Sequence, residues 1–201
     1  MSLVIFLKKD GAIEATADDT AVILEENGKL KAKKNDFQKI YPLNSKSIIG
    51  YASQTPVNEQ DLSGMTDSLA FFTKDMNTIS EIANEFCEFI RGTDEPRPDQ
   101  ILIGGVDPEP RIYKLDRCHK NFKPEEVLYD YCFIGWIHVA TCEYPNHKDK
   151  SVDIAVDLIQ LTCDHPMISG LIGGKLRRYV VANSGIEPIP MEVEIKQTKV
   201  K

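Results

Sequence analysis

Cysteine and histidine are the residue types here most able to do chemistry unaided. Cys87, Cys118, Cys132, Cys142 and Cys163 make five cysteines, and His119, His138, His147 and His165 make four histidines. Cys118-His119, His138, Cys142, His147 and Cys163-x-His165 invite a zinc reading, because zinc favours thiolate and imidazole. No pair among them has the spacing of a structural zinc site, so no metal is expected. No local signature marks a Cys-His protease dyad. Gly170 to Gly174 has the glycines of a phosphate loop but lacks the Lys-Ser/Thr ending that holds the phosphate, and no cofactor is expected. Cys87 and Cys163 fall on the inner faces of predicted helices and read as small hydrophobes. Trp136, beside Gly135, reads as a core or subunit-interface aromatic.

These side chains need a frame. The 201 residues suit one domain over 1–201, with a frayed, charge-alternating tail over 191–201. Hydrophobic residues make up 42% and charged residues 27%, which excludes an obligately disordered chain. Lys+Arg 24 against Asp+Glu 31 gives a net charge of −7, a poor match for nucleic acid or an anionic membrane. The apolar run Leu3 to Leu7 has its charges after it rather than before it, unlike a signal peptide. The odd cysteine count without C-x-x-C suits reduced thiols, hence a cytoplasmic location.

Asp10-Gly11 between Leu3–Leu7 and Ala12–Thr16 is a two-residue hairpin signal. Ala21–Leu24 is a third strand, Lys29–Lys34 a lysine-rich connection, and Lys39–Leu43 with Ser47–Ala52 a further pair. Residues 53–77 read as a long connection with one helical turn at Ser68–Phe72. Thr78-x-x-Glu81 is a capping box opening a helix with Ile79, Ile82, Ala83, Phe86 and Ile90 on one face, closed by Gly92. Gln100–Asp107, Arg111–Asp116 and Tyr129–Ile134 are strands. Ser151 is expected to cap a second helix with Val152, Ala155, Val156, Ile159 and Cys163 inward, before a strand over Lys175–Ala182 and a short final one. Strands, helix, strands, helix, strands is the order of an α+β fold with antiparallel hairpins.

Several segments, in this order, resemble the proteasome β-subunit family. The opening strand with Lys9-Asp10-Gly11, then Lys39-Ile40-Tyr41 and Ile48-Ile49-Gly50, resembles the family's first half. Leu102-Ile103-Gly104-Gly105-Val106-Asp107 is similar to its L-x-G-G-x-D strand. Ser151-Val152-Asp153 and the segment Asp164, Ser169-Gly170, Gly173-Gly174 resemble its last long helix and the D-x-x-S-G-G that follows. The resemblance implies a four-layer αββα sandwich and an N-terminal nucleophile hydrolase. In that family the first residue attacks an amide with its hydroxyl, and its own α-amine, titrating near 7.7–8.0, serves as base.

Carried over residue by residue, the resemblance makes Ser2 the nucleophile once Met1 is trimmed. Asp18 is the site aspartate when counting starts at Ser2; counting from Met1 places Ala17 there. Lys39 is the site lysine, with Lys34 as rival, and Gly50 the oxyanion-hole glycine. Asp164 and Ser169 match the residues that fix the terminal amine. The family's G-S-G-S run is absent, replaced by Phe133-Ile134-Gly135-Trp136-Ile137-His138, with His138 standing in for a serine. That departure and a retained Met1 point to the alternative, a non-catalytic subunit with a structural or binding role. The family also implies a homo-oligomeric ring acting on peptide or protein substrates, and Phe89, beside the core stripe of its helix, offers apolar surface for a neighbouring copy.

Overall fold

Asp10 and Gly11 both adopt positive φ, 51° and 76°, the left-handed pair that closes a two-residue hairpin. They join β1 (Leu3–Lys9) to β2 (Ala12–Asp18). The computed structural model describes residues 2–24, 30–53, 59–91, 98–116, 123–168 and 171–198. Along the chain follow β3 (Ala21–Leu24), β4 (Leu30–Lys34), β5 (Ile40–Asn44), β6 (Ser47–Ala52), α1 (Glu59–Thr73) and α2 (Ile79–Arg91). Then come β7 (Gln100–Val106), β8 (Pro110–Asp116), β9 (Glu125–Glu126), β10 (Tyr131–Gly135), α3 (His138–His147) and α4 (Ile154–Asp164). The last elements are β11 (Gly174–Ala182), β12 (Gly185–Ile189) and β13 (Glu194–Ile195).

The strands form two main antiparallel sheets, one ordered β10-β1-β2-β11-β12 with β13 also on β11, the other β5-β6-β7-β8-β9. A separate ribbon pairs β3 with β4. Strand alternation sorts β1 between two cores. Val4 and Phe6 join Ile40, Ile48, Leu102 and Ile112 of the second sheet. Leu3, Ile5 and Leu7 join Val139 and Ala140 of α3 and Leu158 and Ile159 of α4. A third core joins Ile49, Ile101 and Ile103 of the second sheet to Leu62 and Leu69 of α1 and Ile82 and Phe86 of α2. Burial on both faces explains why β1 is a continuous apolar run. Glycines let the sheets approach: a Cβ on Gly50 would lie 2.9 Å from Val4 Cγ1, and one on Gly104 would lie 2.8 Å from Phe6 Cδ2.

Several expectations need correction. The connection over 53–77 contains the fifteen-residue α1, not one turn. Its buried stripe is Leu62, Thr66, Leu69 and Thr73, so half of the inner face is polar by type. The two threonine hydroxyls donate back to Leu62 O and Leu69 O, which makes them compatible with burial. The lysine-rich segment before Lys34 is strand β4. The cap of α4 is Asp153, whose carboxylate accepts from Val156 N–H; Ser151 bonds to Asp157 instead, and Val152 is fully exposed rather than inward. The tail from 191 is held through residue 198: β13 pairs with Gly174 and Lys175, and Ile195 is buried. Helix α3 follows β10 where no helix was expected, with Pro145 inside it. The capping box at Thr78 and Glu81 is present, with its two reciprocal backbone bonds. Gly92, expected to close α2, lies outside the described residues.

Candidate functional site

Strand β2 ends at Asp18 beside the first residue of β1, and Lys39 leads into β5 of the other sheet. Both side chains are buried, Asp18 at 1% exposure and Lys39 at 3%. Lys39 Nζ lies 2.8 Å from Asp18 Oδ1 and also donates to Thr20 O at 2.7 Å. Asp18 collects three backbone donors as well: Leu3 N–H on Oδ1 at 3.0 Å, and Thr20 N–H and Gly173 N–H on Oδ2 at 3.3 Å each. Thr20 Oγ1 closes the cluster by donating to Gly173 O at 2.7 Å. A buried ion pair survives only when its spare lone pairs and protons are satisfied, and this carboxylate has four donors. Burial pushes the Lys39 ammonium below its ordinary pKa, against the opposing attraction of Asp18 and Asp19. Burial also raises Asp19, although the amides of Lys175 and Asp36 oppose the rise.

Ser2 is buried at 5% exposure, and its carbonyl accepts Trp136 N–H at 2.8 Å. The ion pair touches the next amide along, that of Leu3. Of the two lysines considered, Lys39 is the one bonded to Asp18. Lys34 pairs with Glu59 at 2.8 Å on the surface, with the lysine side chain 60% exposed. Ala17, the other register for the aspartate, has no carboxyl and lies in the core between the sheets. Lys34, Gln38, Tyr41, Glu59, Gln60 and Ser63 line an open cleft of about 580 Å³ beside β5.

Gly50 is interior to β6, in register with Ile40 on one side and Leu102 on the other. Its N–H therefore faces a neighbouring strand in the ladder. Asp164 sits at the end of α4, where its oxygens accept from Thr198 N–H, Thr198 Oγ1 and Gln160 Nε2. Those bonds hold its carboxyl below the ordinary range even though burial opposes them. Ser169 lies outside the described residues, as do Met1, Cys118 and His119. His138 is exposed at the start of α3. Sequence reasoning misses two members of the cluster: Gly173 carries a signal, its place in the Gly173-Gly174 pair, whereas Thr20 carries none.

Among the described residues, no group of three His, Cys, Asp or Glu side chains is placed to hold a metal ion, and no helix is long and apolar enough to cross a membrane. A scan against protein-family models and a search of curated proteins give no match for this chain.

Proposed function

We propose that the chain is a proteasome-like N-terminal nucleophile hydrolase that cleaves amide bonds through Ser2 after Met1 is removed. The observation that carries the reading is the buried Lys39–Asp18 pair bonded to the Leu3 amide, one residue from Ser2. In a dry site a fixed cation stabilises developing negative oxygen far better than water does. The three cores support the layering that the reading needs, with α1 and α2 on one sheet, α3 and α4 on the other, and a core between the sheets, as in a four-layer αββα sandwich.

In this scheme the Ser2 hydroxyl adds to the substrate carbonyl carbon and its proton passes to the Ser2 α-amine. The C–N bond then breaks, and the leaving nitrogen takes that proton. Water attacks the resulting ester by the same proton route, releasing the acid and restoring Ser2. Lys39 supplies charge, and Asp18 orients Lys39 and the Leu3 amide. The scheme gives Asp164 no hold on the amine, because its oxygens serve Thr198 and Gln160. The same reading makes the protein a homo-oligomeric ring of the cytoplasm acting on peptide or protein substrates.

A second reading, a non-catalytic subunit of the same fold, is favoured by Gly50, whose N–H faces the sheet ladder rather than an open site. Intact-mass measurement of the native protein separates the two at the first step, because a retained Met1 removes the base. With Met1 removed, the enzyme reading expects hydrolysis of fluorogenic peptides that Ser2→Ala abolishes. A trimmed wild-type protein without hydrolysis supports the non-catalytic reading.

A further inference from the structure

We propose that Gln100 is a positioning residue for Ser2, a role that rests on the hydrolase reading above. The Ser2–Leu3 peptide is planar and contains the Ser2 Cα, so its direction sets where that Cα stands, the anchor from which the Ser2 hydroxyl and amine extend. This plane is gripped from both sides. Its N–H, on Leu3, donates to Asp18 Oδ1 at 3.0 Å, and its carbonyl, on Ser2, accepts Trp136 N–H at 2.8 Å. The first grip belongs to the ion pair. The second depends on the end of β10, and Gln100 holds that end.

Gln100 is the first residue of β7, paired with Ala52 and Asp116 in the second sheet. Its side chain leaves that sheet and accepts Gly135 N–H of the first sheet on Oε1 at 2.9 Å. Its Nε2 donates to Asp116 Oδ2 at 3.1 Å. An amide at this point needs an acceptor toward Gly135 and a donor toward Asp116, which glutamine supplies in one fixed orientation. Gly135 has φ +91°, and a Cβ there would lie 1.9 Å from Ser2 O. Only glycine lets the chain turn here and bring the following amide, that of Trp136, onto the Ser2 carbonyl. Gln100 therefore fixes Gly135, Gly135 aims Trp136 N–H, and Trp136 N–H fixes the peptide after the nucleophile.

The test compares wild type, Gln100→Leu and Gln100→Glu after removal of Met1. Labelling by a peptide epoxyketone, kcat and KM on a fluorogenic peptide, and amide exchange at Trp136 are the readouts. Gln100→Leu loses the acceptor, and a misplaced nucleophile is expected to slow labelling and kcat by about tenfold while KM stays within about twofold. Gln100→Glu keeps the acceptor for Gly135, and Lys114, whose Nζ lies 3.8 Å from Asp116 Oδ2, softens the new repulsion, so most of the rate returns. Where Gln100→Leu fails to fold, Gln100→Met takes its place. Wild-type labelling in the folded apolar variant overturns the proposal. Absence of labelling in trimmed wild type overturns the hydrolase reading instead. The grip is then read from exchange alone: faster Trp136 exchange in Gln100→Leu with recovery in Gln100→Glu upholds it, and unchanged exchange in Gln100→Leu overturns it.

Discussion

Removing either partner of the Lys39–Asp18 pair should destabilise the fold, and unequally. Lys39→Met deletes two hydrogen bonds, to Asp18 Oδ1 and Thr20 O, yet leaves the carboxylate with the amides of Leu3, Thr20 and Gly173. Three N–H donors continue to solvate the charge, so the cost should fall near the low end for a broken buried pair, about 3 kcal/mol. Asp18→Ala strips the acceptor from three buried amides at once and leaves Lys39 with Thr20 O. An unsatisfied buried donor costs about 1–3 kcal/mol, so the total should reach about 5 kcal/mol even after Lys39 sheds its proton. At roughly 2–4 °C per kcal/mol for a chain of this size, the melting temperature should fall by about 6–12 °C and about 10–20 °C respectively.

The pH dependence gives an independent check. The unfolded Lys39 holds its proton up to the ordinary value of 10.5, while burial makes the folded lysine release it earlier. The unfolded state thus binds more protons in that window, and wild type should gain stability over Lys39→Met as pH rises through it. Urea unfolding of both variants across pH supplies the data. An Asp18→Ala loss no larger than that of Lys39→Met would refute the argument that the carboxylate is the hub.

Three further expectations follow from the same geometry. Asp19 titrates above its ordinary 3.8, so its contribution to stability is present at acid pH and lost as pH rises from there; Asp19→Asn should overtake wild type progressively through that range in urea titrations. Among Cys87, Cys132, Cys142 and Cys163, iodoacetamide at pH 8 should modify Cys142 first, because it is exposed while burial pushes the Cys132 thiol up to about 11; peptide mass mapping of the native protein decides this. Gly105→Ala should cost about 2–3 kcal/mol, since its Cβ would lie 2.4 Å from both Lys46 O and Ile79 Cδ1, whereas Gly64→Ala in α1 meets nothing within 4 Å and should stabilise by about 0.5–1 kcal/mol; thermal melts of the two, side by side, test the contrast.

Local signals were enough where one segment decides its own conformation. Asp10-Gly11 dictates its hairpin because both residues tolerate positive φ, and the capping box at Thr78 acts within four residues. The regular apolar spacing of α2 likewise needs no partner to be read. Helix α1 was illegible because threonines occupy half its buried stripe, and their fitness for burial comes from bonds to the helix's own carbonyls. The tail was illegible because β13 borrows its order from Gly174, and Thr198 from Asp164.

The candidate site divides the same way. Sequence by itself could nominate Asp18 and two lysines, but Lys34 and Lys39 are equivalent in composition and near neighbours along the chain. Only the tertiary structure separates their surroundings: it buries Lys39 against Asp18 and leaves Lys34 on the surface with Glu59. The physical reason is that a site is a property of distance in space: Asp18, Lys39, Gly173 and the Leu3 amide meet only when β1, β2, the lead into β5 and the approach to β11 are packed together. Gln100 shows the limit most plainly, because nothing in its neighbours along the chain reveals that its amide reaches Gly135 in the other sheet.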